Sequence, residues 1–410
     1  MSLYRLAAEF AVSNGILKQV DGNPFILSCT LLPSPMPKSL LYRAQEVQCD
    51  FNLLYHKAAM DHEFLEAVLK PVLCVDSYLR SLWDIYLRVR CSAVMQDLVL
   101  GLNRSDYMLH LEEDLCDEKR EFLANRLGST RVAARYEVES DEHVWDGLSL
   151  RQVEFNMIAC SFCGLIQCLI PQHRIALSLH GLFKDINVRV PDCFSADRFS
   201  EALLFACRIF NLRLFVDNEE IAVVYYRTGY TPGAFPDDET WNVKYQLEQS
   251  LAIKCPCIQY LLVNTKIVQA ALSKKKYLSR FFQPGSLSYR NIMSTFTNQY
   301  TLDEEMGISN STEIQQVISD CMLKPENYVL KPQREGGGNN YFGVDIVQKL
   351  KSIINHDERK VYVLMERIRP YVFENHILNS SSSHKEPKVE KWSLNWAFSV
   401  PSLHVKMKSI

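Results

Sequence analysis

The chain has 410 residues, too many for one ordinary core, and 47% of them are apolar and 23% charged, the balance of a globular protein rather than a disordered or fibrous one. Its 45 Lys and Arg nearly cancel 48 Asp and Glu, and the net charge of −3 supplies no global positive field for coating nucleic acid. No apolar run approaches the roughly 20 residues that span a bilayer, and Arg5 and Glu9 interrupt any leader-like stretch.

Residues 38–110 read mainly as helix, with Leu40, Ala44, Val47, Phe51 and Leu54 recurring at three- and four-residue steps along one face. Asp61 predicts the cap of a second helix carrying Phe64, Leu65, Val68 and Leu69, which Pro71 stops. A buried strand is expected over 97–102, delivering Asn103, Arg104, Ser105 and Asp106 at its C-terminal end. Residues 111–150 are acidic and read as a surface insertion, helical or partly disordered.

A strand is expected over 152–157 and a helix over 196–210. A hairpin turning at Asp217-Asn218 would pair 212–216 with 221–226. Segments 241–251 and 267–282 read as helical. From Tyr328 the order is strand (328–332), Gly-rich loop (336–338), helix (344–354) and strand (360–365). After Asn375 the periodicity dissolves, through the serine run 380–383 and the tail 385–410. Strands alternating with helices predict an α/β or α+β architecture.

The run Lys331-Pro332-Gln333-Arg334-Glu335-Gly336-Gly337-Gly338-Asn339-Asn340 carries the strongest chemical signal. Three glycines let backbone N–H groups converge on an anion, Lys331 and Arg334 add cations, and Glu335 adds a hard oxygen for magnesium. It is neither a Walker A loop nor a dinucleotide fingerprint. On a strand, Glu154 and Asn156 share a face about 7 Å apart, an oxygen pair suited to magnesium or to an ordinary half-exposed strand. Arg227, in Tyr226-Arg227-Thr228-Gly229-Tyr230, and Arg104 each have the fork that grips a carboxylate, or a surface ion pair. Cys160, Cys163, Cys168 and the pair Cys255/Cys257 lack a fourth ligand at zinc spacing. Thirteen cysteines, an odd number without an export signal, predict thiols in a reducing cytosol.

Lys331–Asn340 with the adjoining Val329-Leu330, the segment from Gly101 to Met108, the stretch from Ala222 to Arg227, and Leu364-Met365-Glu366 together resemble the eukaryotic glutathione synthetase family of ATP-grasp ligases. Shorter echoes lie at 50–54, 254–256 and 373–375. The resemblance implies an ATP-grasp fold with an inserted smaller substrate-binding α/β domain. Residues 1–171 would form the N-terminal part of the catalytic domain (111–150 inserted), 172–265 a shortened substrate domain, 266–375 the nucleotide-binding part, and 376–410 a divergent tail.

It further implies ATP-driven joining of γ-glutamylcysteine to glycine through an acyl phosphate, with two Mg2+ ions per site. Carried over residue by residue, Glu154, Asn156 and Glu335 match the metal ligands, and Lys266 and Lys331 the phosphate lysines. Pro332, Gln333, Arg334 and Gly336–Asn340 match the loop over the triphosphate, and Phe342, Met365, Glu366, Arg367 and Ile368 the adenine end. Arg104, Ile158, Ser161, Arg227, Thr228, Gly229 and Tyr230 match the dipeptide wall, and Lys331 and Arg104 would be catalytic. A cytoplasmic homodimer without nucleic-acid or membrane partners is implied as well.

The chain departs from the family at Ala159 and Cys163, where serines and paired glycines are usual, and at Phe342, where tyrosine is common. No counterpart of the family's C-terminal lid is expected in 380–410. The alternative expectation is therefore a catalytically inactive paralogue or truncated isoform, serving as a nucleotide-binding or dimer-partner module.

Overall fold

The computed structural model describes residues 3–92, 96–112, 146–179, 190–209, 214–333, 339–370, 372–378, 389–393 and 396–405. Helix α1 (Leu3–Ser13) leads into a hairpin of β1 (Leu17–Val20) and β2 (Asn23–Ile26), then the short β3 (Cys29–Thr30). Helix α2 (Lys38–Met60) buries Ala44, Val47, Phe51 and Leu54, the stripe its spacing predicts. In α3 (His62–Leu69) the Asp61 carboxylate accepts the Phe64 N–H at 3.0 Å. Asp76 caps α4 (Ser77–Arg90) in the same way, accepting from Leu79 N–H at 2.9 Å. Each such cap stabilises its helix by about 1 kcal/mol.

Strand β4 (Leu98–Leu111) is longer than the expected 97–102, and β5 (Leu148–Asn156) starts before the expected 152. Thus the end of the 111–150 segment is sheet, while 113–145 lies outside the described residues. The reason is alternation. Asn103, Ser105 and Tyr107 are buried on one side of β4, so Arg104 and Asp106 stand on the other, at mid-strand rather than beyond its end. The antiparallel register pairs Arg104 with Asn156 and Asp106 with Glu154, then resumes at Tyr107 with Gln152. Val153 is skipped, a one-residue bulge.

Helices α5 (Cys163–Leu179) and α6 (Ser195–Ile209) follow, then β6 (Phe215–Val216) and β7 (Glu219–Glu220). Asp217 and Asn218 take positive φ (50° and 68°), so the predicted turn is present. Its second arm is not the apolar run 221–226, however. That run supplies β8 (Val223–Tyr225), which pairs in parallel with β9 (Ile253–Cys255) across helix α7 (Asp238–Gln249). Pairing with the fully buried β9 leaves the run half-buried, whereas β6 and β7 are exposed.

Next come α8 (Ile258–Val263), α9 (Lys266–Leu272), α10 (Lys275–Phe281) and α11 (Leu287–Thr295); the single helix expected over 267–282 is thus two. Strand β10 (Gln299–Thr301) and helix α12 (Ser311–Leu323) precede β11 (Tyr328–Pro332), β12 (Tyr341–Phe342), α13 (Val344–Ile353) and β13 (Tyr362–Glu366). These strands form one sheet in the order β10-β13-β11-β12. The C-terminal stretch, where the periodicity dissolves, contains β14 (Val372–Leu378), β15 (Val389–Ser393) and β16 (Trp396–Val405). Strand β14 joins β3 and β15, while β16 runs antiparallel along β4 from Leu98 to Tyr107. Its Pro401 masks a strand in the sequence but is tolerated because β16 lies at the sheet edge.

The largest core joins α2, α3, α4 and α8–α11 to β5; Phe155 stacks on Tyr55 with ring centroids 4.2 Å apart. A separate core beneath the second sheet holds Leu302, Val317, Leu330, Ile346, Leu350 and Leu364. Among the described residues, no helix is long and apolar enough to cross a membrane.

Candidate active site

The two sheets bring charged side chains together at one place. On the β4–β5 face, Arg104 donates from Nε and Nη2 to Asp106 Oδ1 and Oδ2 at 2.7 and 2.9 Å. Directly across, Asn156 Nδ2 donates to Glu154 Oε1 at 3.1 Å, so the pair expected to share a face also touches. Lys266, the first residue of α9, donates to Glu154 Oε2 at 2.8 Å. Lys331 arrives from β11 and donates to the Val153 carbonyl at 2.8 Å. The bulge explains that contact, since the skipped carbonyl accepts from Lys331 and also from Gln269 Nε2 at 3.3 Å.

Burial raises the Glu154 pKa, but the charge and hydrogen bond of Lys266, the charge of Lys331 and the Asn156 hydrogen bond outweigh it and hold the carboxyl at about 2. Glu154 is therefore an anion throughout the working pH range. An ionised carboxylate beside an amide oxygen is the hard donor set that magnesium takes, and this pair fits that ion. Among the described residues no three His, Cys, Asp or Glu side chains gather at metal-binding distance. The third expected ligand, Glu335, lies outside the described residues, as do Arg334 and Gly336–Gly338.

The root of the glycine loop is tied down. Gln333 is buried, its Oε1 accepting the Ile267 N–H at 3.0 Å, and its own N–H donates to the Val361 carbonyl at 2.8 Å. The expected nucleotide contact Gln333 is thus committed, through its side chain, to the start of α9. Asn264 Oδ1 accepts the Met157 N–H at 2.9 Å, joining the end of β5 to the turn before Lys266.

Sheet register places Phe342, Val329 and Met365 in one cross-strand row, with Lys331 and Val363 in the next row of that face. Phe342 is half exposed, and the Arg367 guanidinium stands 6.0 Å from its ring centroid. The Glu366 carboxylate accepts from Asn298 Nδ2 and from the Tyr300 hydroxyl. The N–H groups of Glu366 and Arg367 donate to the Asn298 and Asn327 carbonyls, which leaves the Ile368 N–H outside those bonds.

A cleft of about 990 Å³ opens beside this cluster. Ile158, Tyr230, Asn264, Pro332, Asn339 and Asn340 are among its lining residues. At its rim, Arg227 Nη1 donates to the Ala159 carbonyl at 2.6 Å, and the Tyr78 hydroxyl donates to the Gly229 carbonyl at 2.8 Å. Gly229 has φ +93°, a value that strains L side chains, with the Phe235 ring 3.5 Å from where a Cβ would sit. Thr228 is exposed and Ser161 half-buried. Ala159 and Phe162 carry positive φ of 52° and 75°. Two non-glycine residues of the segment that follows β5 thus hold glycine-like conformations.

The structure gathers Arg104, Glu154, Asn156, Lys266 and Lys331, with Ile158, Arg227 and Tyr230 around the neighbouring cleft and rim. The Val153 carbonyl was not singled out by the sequence, and Asp106 was named only with its neighbours at the end of the expected strand, without a role of its own. The signal for Asp106 was present, since a strand carrying Arg104 places residue 106 on the same face.

Comparison with known proteins points the same way. The profile of the eukaryotic glutathione synthase ATP-binding domain matches residues 2–391. The glutathione synthetase of Xenopus laevis is 31% identical over 405 residues, spanning 92% of this chain and 83% of the relative. That of Bos taurus is 32% identical over 437 residues, spanning 93% and 84%. Among solved structures, a glutathione synthetase-like effector from Globodera pallida in its apo form superposes with a TM-score of 0.65 at 20% identity. It spans 98% of this chain and 88% of its own, a likeness of fold.

Proposed function

Because the chain belongs to the eukaryotic glutathione synthase family, we propose that it ligates γ-glutamylcysteine to glycine at the expense of ATP. One observation carries this reading: the Glu154 carboxylate, bonded to Asn156 and Lys266 with Lys331 held on the adjacent Val153 carbonyl, at the root of a glycine-rich loop.

In this reading the dipeptide's terminal carboxylate attacks the γ-phosphorus of ATP and ADP leaves. The glycine amine then attacks the acyl carbon and phosphate departs. Lys266 and Lys331 hold phosphate oxygens; each ammonium has three donors, so a bond to Glu154 or to Val153 leaves others for the ligand. Arg104 and Arg227 hold substrate carboxylates, and Ile158, Ser161, Thr228, Gly229 and Tyr230 wall the dipeptide. The adenine rests on the Phe342–Val329–Met365 row and bonds to the backbone at Glu366–Ile368.

Glu154 and Asn156, joined by Glu335, would hold magnesium, two ions per site, which supplies neutralisation of triphosphate charge when bound. Arg334 and the loop 336–340 would cover the phosphates and keep water from the acyl phosphate. A cytosolic homodimer belongs to the same reading.

The test is product formation. Incubation with ATP, magnesium, γ-glutamylcysteine and glycine should yield the tripeptide by mass spectrometry, and omitting any one should abolish it. Nucleotide binding without product would contradict the proposal and favour a non-catalytic partner subunit.

A further inference from the structure

Asp106 stands on the substrate-facing side of β4 with both carboxylate oxygens committed to Arg104, at 2.7 and 2.9 Å, and with its side chain almost fully buried. Its effect falls on Arg104. The bonds run from Nε and Nη2, the side-on edge of the fork, and leave the end-on edge formed by Nη1 and the second Nη2 hydrogen for another carboxylate.

Arg104 also lies diagonally across the ladder from Glu154, whose charge attracts it. Without the paired carboxylate at position 106, the guanidinium would lean towards Glu154 and compete there with Lys266. The strand beneath is fixed: Gln152 Nε2 donates to Ser105 Oγ at 2.7 Å, and Asn103 Nδ2 to Asn52 Oδ1 at 3.1 Å, on its buried side.

We propose that Asp106 is a positioning residue that sets the guanidinium plane of Arg104 for the substrate carboxylate and keeps Arg104 off Glu154. This rests on the functional reading above, with Arg104 as a dipeptide contact.

The test is a double-mutant cycle, with steady-state kinetics on Asp106→Asn, Arg104→Met and the double variant, and with Asp106→Glu as the conservative control. Asp106→Asn should raise the dipeptide KM about 10-fold, leave the ATP KM within about twofold, and add nothing further in the Arg104→Met background. Asp106→Glu should recover part of the loss. An unchanged dipeptide KM in Asp106→Asn, or effects that add independently of Arg104, would overturn the inference. If Asp106→Asn fails to fold, the double variant and Asp106→Glu still decide: the double variant must match Arg104→Met in dipeptide KM, and a mismatch overturns the proposal. A wild-type chain that makes no product would instead refute the functional reading itself, and the positioning role with it.

Discussion

On the β4–β5 face every charged side chain described above is bonded to another group of the fold: Arg104 to Asp106, Lys266 to Glu154, Lys331 to the Val153 carbonyl. Along the rim, Arg227 donates to a backbone carbonyl, Gly229 is held through its own carbonyl, and Thr228 is exposed. The first region is preorganised, its charges already held by the fold; on the second, Arg227 and Thr228 are exposed. The difference separates chemistry from recognition. Substitutions at Glu154, Lys266 and Lys331 should act on turnover, and those on the rim, together with the Arg104–Asp106 pair, on substrate affinity.

The largest effect should come from Glu154→Gln, which removes the charge that Lys266 pairs with. Turnover should fall by about 10³-fold, roughly 4 kcal/mol of transition-state stabilisation, in a rapid-quench or coupled phosphate assay. Retained turnover would mean that the inner face is structural only.

Acid titration sharpens the contrast from a third place. Burial lowers the pKa of His173, opposed by its hydrogen bond to the Thr30 carbonyl, to about 4, so the ring is neutral in the fold. The unfolded chain takes up that proton below the ordinary value of 6.5, and stability should fall between pH 6.5 and 4, by about 3 kcal/mol for such a displacement. Glu154, held at about 2 against 4.5, contributes stability that is complete above 4.5 and lost as pH falls towards 2. Chemical denaturation across pH should show both windows, and His173→Gln should erase only the upper one.

Arg227→Lys should raise the dipeptide KM about 5-fold with kcat within about twofold, because lysine lacks the planar fork. A fall in kcat with unchanged KM would place Arg227 with the inner face. The smallest change is Phe342→Tyr, expected to alter the ATP KM by no more than about twofold, since the half-exposed ring keeps its stacking face.

Much of this arrangement was legible in the residues. The helical steps of α2, the Asp61 cap and the 328–332 strand follow from local pattern, and Glu154 and Asn156 share a face because strands alternate. The length of β4 did not follow, because Arg104, Ser105 and Asp106 look like a loop until one side of the strand is seen to be buried. The Val153 bulge is invisible in sequence, being set by register against β4, yet it supplies the carbonyl that holds Lys331. Strand β16 was missed for a related reason. Its pattern is broken by Pro401, and its partner lies some 300 positions away in the chain. Long-range pairing decides such elements, and local periodicity does not report it.

Lys331, anchored on the bulge carbonyl, is expected to hold phosphate oxygens while the dipeptide carboxylate attacks. Phosphate release from ATP, measured for the folded wild type and Lys331→Met, tests it most directly. The account predicts release from wild type only when magnesium, γ-glutamylcysteine and glycine are all present, and a loss of at least about 10²-fold in the variant. Release from Lys331→Met at the wild-type rate, or release that ignores the dipeptide, would contradict it.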